Sequence, residues 1–215
     1  MIKKLFMLFK IGRKLSTSGA ISSVYEIYNP PILIKILFFI IGFSFGNKNT
    51  DNNLSAGEKL CNALQNMGTT FIKLGQFLAT RPDIIGEDIS KELEKLQDKL
   101  PPFDLALAKN ILKKELGNEN YDQITNISNP IAAASIAQVH FADIEVSGHK
   151  KNVAIKILRP NVEKIFNEEL DALMFLAYIV ESVAKKTKRL KLIEVVQLLR
   201  EITSVEMDFR FEAAA

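Results

Sequence analysis

Tryptophan is absent from the 215 residues, cysteine occurs once, as Cys61, and there are two histidines, His140 and His149. A single thiol forms no internal disulfide, which suits a reducing compartment. With only two imidazoles beside it, a structural Cys/His zinc site lacks its ligands. Charge of one sign is not in excess either, since 28 Lys and Arg against 25 Asp and Glu leave a net +3. Neither the charge nor any interleaving of basic and aromatic residues on a strand platform points to nucleic acid. A membrane-spanning run is also missing. Residues 32 to 46 are almost wholly apolar but include Lys35, and as a helix they would reach roughly 22 Å against a hydrocarbon core of ~30 Å. The stretch therefore reads as interfacial or buried. No small-residue cleavage site follows it, and Arg is too scarce for a good mitochondrial presequence. What is present is an ordinary globular mixture, 47% hydrophobic and 25% charged, able to bury a core in one domain with an extension or in two small ones.

The first 50 residues carry Lys3, Lys4, Lys10, Arg13, Lys14, Lys35 and Lys48 against Glu26, a local charge of +6 that leaves −3 for the remainder. Ile2, Leu5, Phe6 and Phe9 recur at helical spacing, the pattern of a short basic amphipathic helix suited to an anionic lipid surface; packing on the rest of the protein is the equal alternative. Pro30-Pro31 stops any helix, and Asn47 to Asn53 is a polar linker. Leu60, Leu64, Met67, Phe71, Leu74 and Leu78 then predict one helix ending at Arg81-Pro82. Ile89, Leu93, Leu96 and Leu100 predict a second, terminated by Pro101-Pro102, and Leu105 to Leu116 a third, closed by Gly117. Ser135 to Ile144 and Asn152 to Leu158, joined by a Ser147-Gly148 turn, predict an antiparallel hairpin. Two helices follow, about Val162 to Lys185 and from Leu192 onward, the latter burying Leu192, Val195, Leu199, Ile202, Val205 and Phe209. There is no internal repeat.

Chemistry enters at the hairpin. Strand side chains alternate, so Val153, Ile155 and Ile157 point one way and Lys156 the other. Val153-Ala154-Ile155-Lys156 matches the kinase strand whose lysine holds the α and β phosphates of ATP, although a lysine on an exposed strand face is usually just solvated. Before it runs Pro130-Ile131-Ala132-Ala133-Ala134-Ser135-Ile136-Ala137-Gln138-Val139-His140, where a kinase keeps its glycine-rich loop. Alanine in place of glycine makes such a turn stiffer over a nucleotide. Together these segments resemble the UbiB family of atypical protein-kinase-like proteins.

Two further segments extend the resemblance. Lys73-Leu74-Gly75-Gln76, followed by Arg81-Pro82-Asp83, Leu96-Gln97-Asp98 and Pro101-Pro102-Phe103, looks like the family's Lys-x-Gly-Gln signature and its surroundings. Glu206-Met207-Asp208 with Glu212-Ala213-Ala214 looks like its Glu-x-Asp element and the turn after it. On a straight helix Asp208 and Glu212 share a face while Glu206 sits about 160° from Asp208. The resemblance implies nucleotide binding by Ala132, Ala133, Ala134, Ser135 and Lys156, an ion pair of Lys156 with Glu212, and a cleft covered by Lys73, Gln76, Glu206 and Asp208. It implies an α+β fold, a protein-kinase-like N-lobe with a family-specific helical N-terminal extension. Residues 1–53 form the membrane-proximal extension and linker, 54–129 the helical segment, and 130–215 the nucleotide-binding half-domain.

No H-R-D-like loop or D-F-G-like aspartate follows, and Asp208-Phe209-Arg210 lies in a helical register rather than at a metal site. The chain thus reads as the N-terminal part of a longer protein, with the second lobe absent and no metal ligands in this stretch. By resemblance the whole is an ATP-dependent kinase or ATPase using Mg2+ and supporting ubiquinone (coenzyme Q) biosynthesis. Its implied partners are a lipid surface, ubiquinone-biosynthesis proteins or isoprenoid-lipid intermediates. Its implied place is the cytoplasmic face of a bacterial inner membrane, with the mitochondrial inner membrane as the alternative. The rival function is a non-catalytic membrane-surface or partner-binding helical module.

Overall fold

The computed structural model describes residues 2–17, 32, 35, 36, 54–98, 100–146, 148–183 and 190–214. The Pro30-Pro31 stop, most of the 32–46 stretch and the 47–53 linker lie outside them. By contacts the chain forms two compact units, Asp98–Val162 and Met1–Gln97 with Glu163–Ala215.

The 98–162 unit is a mixed helix and antiparallel-sheet structure. Helix α6 (Leu105–Tyr121) precedes strands β1 (Ile124–Thr125), β2 (Pro130–Ala133), β3 (Ala137–Val146) and β4 (His149–Leu158). Strand β3 is central, pairing antiparallel with β4 along its whole length and with β1 and β2 on its other edge. The register sets Gln138 opposite Ile157, His140 opposite Ile155 and Ala142 opposite Val153. One face of the hairpin is thereby apolar or internally satisfied, and Ala108 and Leu112 of α6 pack with Ile157 and Ile155 to cover it. Asp104 caps α6 by accepting from the Ala106 N–H at 2.6 Å. The helix does not close at Gly117 as the spacing suggests. Gly117 takes φ 75° and ψ 167°, a kink that only glycine adopts easily, and one more turn follows to Tyr121.

The other unit is helical: α1 (Ile2–Thr17), α2 (Ala56–Met67), α3 (Thr69–Ala79), α4 (Pro82–Ile85), α5 (Glu87–Leu93), α7 (Val162–Val183), α8 (Leu192–Met207) and α9 (Phe209–Ala214). A reciprocal capping box opens α2, with the Glu58 N–H donating to Ser55 Oγ at 3.2 Å and the Ser55 N–H to Glu58 Oε2 at 2.8 Å. The single helix expected from Leu60 to Leu78 is two. Gly68 sits between them at φ 102° and ψ −171°, outside the helical region, so α3 leaves α2 at an angle while both keep their stripes on the core. Leu64, Met67, Phe71 and Leu93 meet there. The second expected helix also ends early, at Leu93. The Lys95 and Leu96 N–H groups bond three residues back, to Glu92 and Leu93, tightening the chain into turns that deliver Leu96 to the same core.

The apolar residues of α1 and α8 divide between core and surface. In α1 Leu8 and Ile11 are buried and join that core, while Phe6 is 70% and Phe9 47% exposed. Phe6 and Phe9, two of the four residues expected to form a lipid-facing stripe, are thus left exposed, and the core takes Leu8 and Ile11 from another side of the helix. In α8 the buried residues are Val195, Val196, Leu199 and Thr203, with Ile202 and Val205 exposed. Thr203 tolerates burial because its hydroxyl donates back to the Leu199 carbonyl at 2.8 Å. Nor is the last helix continuous. Asp208, at φ −91° and ψ 89°, separates α8 from α9, so the straight-helix relation between Asp208 and Glu212 does not hold.

Candidate functional site

In the sheet unit, Lys156 stands opposite Val139 on the face that also carries exposed Phe141 and Ala154, away from the one covered by α6. This is the placement that strand alternation predicts. Ala132 and Ala133 end β2, and Ala134 to Ile136 turn the chain into β3. The turn closes on itself, the Ala134 N–H donating to the Ala137 carbonyl at 2.8 Å.

Beneath that turn runs a strap, Asp98 and residues 100 to 103, fastened by three polar side chains that sequence reasoning assigned no role. Asp98 Oδ1 accepts from the Ser135 N–H at 3.2 Å. Arg159, one residue past β4, spreads its guanidinium over three carbonyls: Nε to Ala134 at 2.9 Å, Nη1 to Pro101 at 3.0 Å and Nη2 to Leu100 at 3.1 Å. Burial pulls this guanidinium below its ordinary pKa, and the Asp98 charge opposes that shift. Gln138 is wholly buried and treats Phe103 as a strand neighbour, accepting from its N–H at 2.9 Å and donating to its carbonyl at 3.1 Å. The same amide nitrogen lies 2.9 Å from His140 Nε2, and His140 Nδ1 lies 2.8 Å from the Ser128 carbonyl. A carbonyl only accepts, so the network assigns the imidazole proton to Nδ1 and leaves Nε2 to accept from Gln138. Asp98, Gln138 and His140 all fall within the motif segments, but nothing local in sequence says which backbone groups they hold.

In the helical unit, Lys73 Nζ on α3 lies 2.9 Å from Glu206 Oε2 at the end of α8, with the lysine side chain 13% exposed. The pair joins two of the four residues expected to cover a cleft. Gln76 points from α3 to the Leu96 carbonyl at 3.5 Å, a marginal bond. Asp208 accepts from the Arg210 side chain and from its N–H at 3.1 Å, and these bonds hold its carboxyl below the usual carboxylate pKa. Gly75 lies against the Leu96 and Leu64 side chains; what it admits is packing. Glu212 is exposed on α9 and belongs to this unit, whereas Lys156 belongs to the sheet unit. Among the described residues no group of three or more His, Cys, Asp and Glu is gathered to hold a metal ion. Burial pushes the half-buried Cys61 thiol up and makes it a poor nucleophile.

A family model described as the ABC1 atypical kinase-like domain matches residues 95–215. The chain belongs to this family. The match takes in the strap, the Ala-rich turn, the hairpin and the last three helices, and leaves outside it the Lys73 to Gln76 signature and Arg81-Pro82-Asp83. Similar proteins include the "Probable protein kinase UbiB" of Shewanella denitrificans OS217, 36% identical over 182 residues, covering 83% of this chain and 32% of that protein. The protein of the same name from Shewanella baltica OS155 is 38% identical over 172 residues, covering 79% and 31% respectively. The chain spans about a third of the length of the curated relatives it matches. No solved structure matches it.

Proposed function

We propose that the chain is the nucleotide-binding N-terminal part of a UbiB-type atypical kinase or ATPase supporting ubiquinone biosynthesis. The observation that carries this reading is Lys156, exposed on the sheet face opposite the core and one strand away from an Ala-rich turn. A fixed ammonium there offsets phosphate oxygens, and Ala132 to Ser135 form the lip above them. In this reading Glu212 orients Lys156, while Lys73, Gln76, Glu206 and Asp208 cover the cleft. ATP, when bound, supplies the transferable phosphoryl group. In this reading Mg2+ ligands and the residue that positions the acceptor belong to a second kinase lobe. The 215 residues should therefore bind ATP weakly and not turn it over. Thermal-shift titration with ATP tests this, with the shift expected to vanish in Lys156→Ala. Robust hydrolysis by the purified chain, abolished by Lys156→Ala, would contradict it.

A second reading, a membrane-surface module, rests on α1, whose exposed Phe6 and Phe9 lie beside exposed Lys10 and Arg13 while Leu8 and Ile11 are buried. That arrangement suits the cytoplasmic face of a bacterial inner membrane and is compatible with the first. Flotation with anionic liposomes should be lost in Phe6→Ser/Phe9→Ser without loss of melting temperature. Unchanged flotation removes α1 as the contact.

A further inference from the structure

Loops that cradle phosphate do so with successive backbone N–H groups aimed at the anion. In the Ala-rich turn two such groups are already committed. The Ala134 N–H closes the turn on Ala137, and the Ser135 N–H donates to the carboxylate of Asp98. The carbonyls are committed as well, Ala134 to Arg159 Nε and Ile136 to the Arg159 N–H at 2.8 Å. The anion seated on the lip is therefore one of the chain's own side chains. At 3.2 Å its bond lies at the long end of the ~2.7–3.2 Å range for N–H···O bonds, so it is a contact that an incoming oxyanion can outcompete.

We propose that Asp98 sets the nucleotide affinity of this lip, its carboxylate occupying the Ser135 amide as an internal anion that phosphate must displace. The inference rests on the nucleotide reading above. Arg159 keeps the strap under the turn, through Leu100 and Pro101, whether or not Asp98 holds the amide. The displaced carboxylate stays close and repels what replaced it. Affinity should therefore depend on ligand charge and not on the nucleoside.

The test is calorimetric titration of the full 215-residue chain with ATP and with adenosine, in wild type, Asp98→Asn and Asp122→Asn. The Asp98→Asn variant keeps an oxygen that can accept from Ser135 but drops the charge, and the exposed Asp122 beyond α6 controls for net charge alone. Asp98→Asn should bind ATP about fivefold tighter or more, the effect of removing one like charge at ~4 Å even near solvent screening, with adenosine changed by less than about twofold. ATP affinity unchanged or weakened in Asp98→Asn, with wild type binding ATP, overturns the proposal and makes Asp98 a structural tie. Absence of binding of either ligand by all three forms defeats the nucleotide reading itself, and this inference with it. If Asp98→Asn does not fold, the wild type decides: ATP, but not adenosine, should move the Ser135 amide resonance, and a resonance unmoved at saturating ATP overturns the proposal.

Discussion

Gly75 offers a substitution whose sign separates packing from propensity. It lies inside α3 between Lys73 and Gln76, and a Cβ added there would fall within the envelope of Leu96 Cδ1 and 2.9 Å from Leu64 Cδ1. Comfortable carbon contacts are ~3.5–4.0 Å, so both side chains would have to withdraw. On helix propensity alone Gly75→Ala should stabilise by ~1 kcal/mol. Overpacking a filled core costs ~1–3 kcal/mol, and Leu96 has little room to move because it is itself buried between α2 and α3. The net expectation is a loss of up to ~2 kcal/mol, read as a fall of up to roughly 8 °C in melting temperature for a chain of this size. Leu96→Ala alone costs ~2–5 kcal/mol by opening a cavity, and the methyl that Gly75→Ala adds should refill part of it. The double variant should therefore be more stable than the sum of the single effects by ~1 kcal/mol. Urea or thermal unfolding of the four forms completes the cycle. A Gly75→Ala chain that is more stable than wild type would show that α3 does not pack on Leu96 and would refute the reasoning.

Lys73→Met and Glu206→Gln should each cost ~1–2 kcal/mol, because each leaves a partner mostly shielded from water, and the double variant should cost less than their sum; strict additivity in urea melts would sink the pair. Gln138→Leu strips two bonds from the Phe103 backbone and one from His140, so a loss of ~2–4 kcal/mol with faster amide exchange at Phe103 is expected, and a loss under ~0.5 kcal/mol would count against the strap. Asp143 accepts from Asn126, Lys150 and Asn152, in that order of effect, and its pKa is lowered to about 2. A depressed folded-state value means stability present above the unfolded value of ~3.9 and lost as pH falls toward about 2. Acid titration of unfolding should be shallower across that window in Asp143→Asn, and an identical acid limb would contradict the assignment.

Local periodicity made the hairpin legible. Alternation across Val153 to Leu158 predicts which way Lys156 points, and the Ser147-Gly148 turn predicts its partner strand, because both signals lie within a few residues of what they determine. The helices were legible in kind and less so in extent. An apolar stripe says that a helix has a buried side, but it continues unbroken through Gly68 even though the backbone does not, since Leu64 and Phe71 serve one core from two helices. In α1 and α8 more than one stripe is available, and the choice is made by neighbours distant in sequence: Leu8 and Ile11 meet Leu64 and Phe71 of α2 and α3.

The same distinction divides the site. Lys73 and Glu206 carry opposite charge at motif positions, so a contact between them was an expectation that resemblance could supply. The tie from Asp98 to Ser135 joins a carboxylate to a backbone amide 37 residues away, and a backbone amide has no letter in the sequence. Alanine for glycine announces a stiffer turn, but not what satisfies its amides. Each buried N–H and C=O must still find a partner, and a turn that closes only one of its amides on itself has to take the other partners from elsewhere. Asp98 and Arg159 meet that demand from the strap below and from the end of β4. A glycine-free lip of this kind can be shaped by polar groups outside it, and a ligand that wants its amides must compete with the side chains already there.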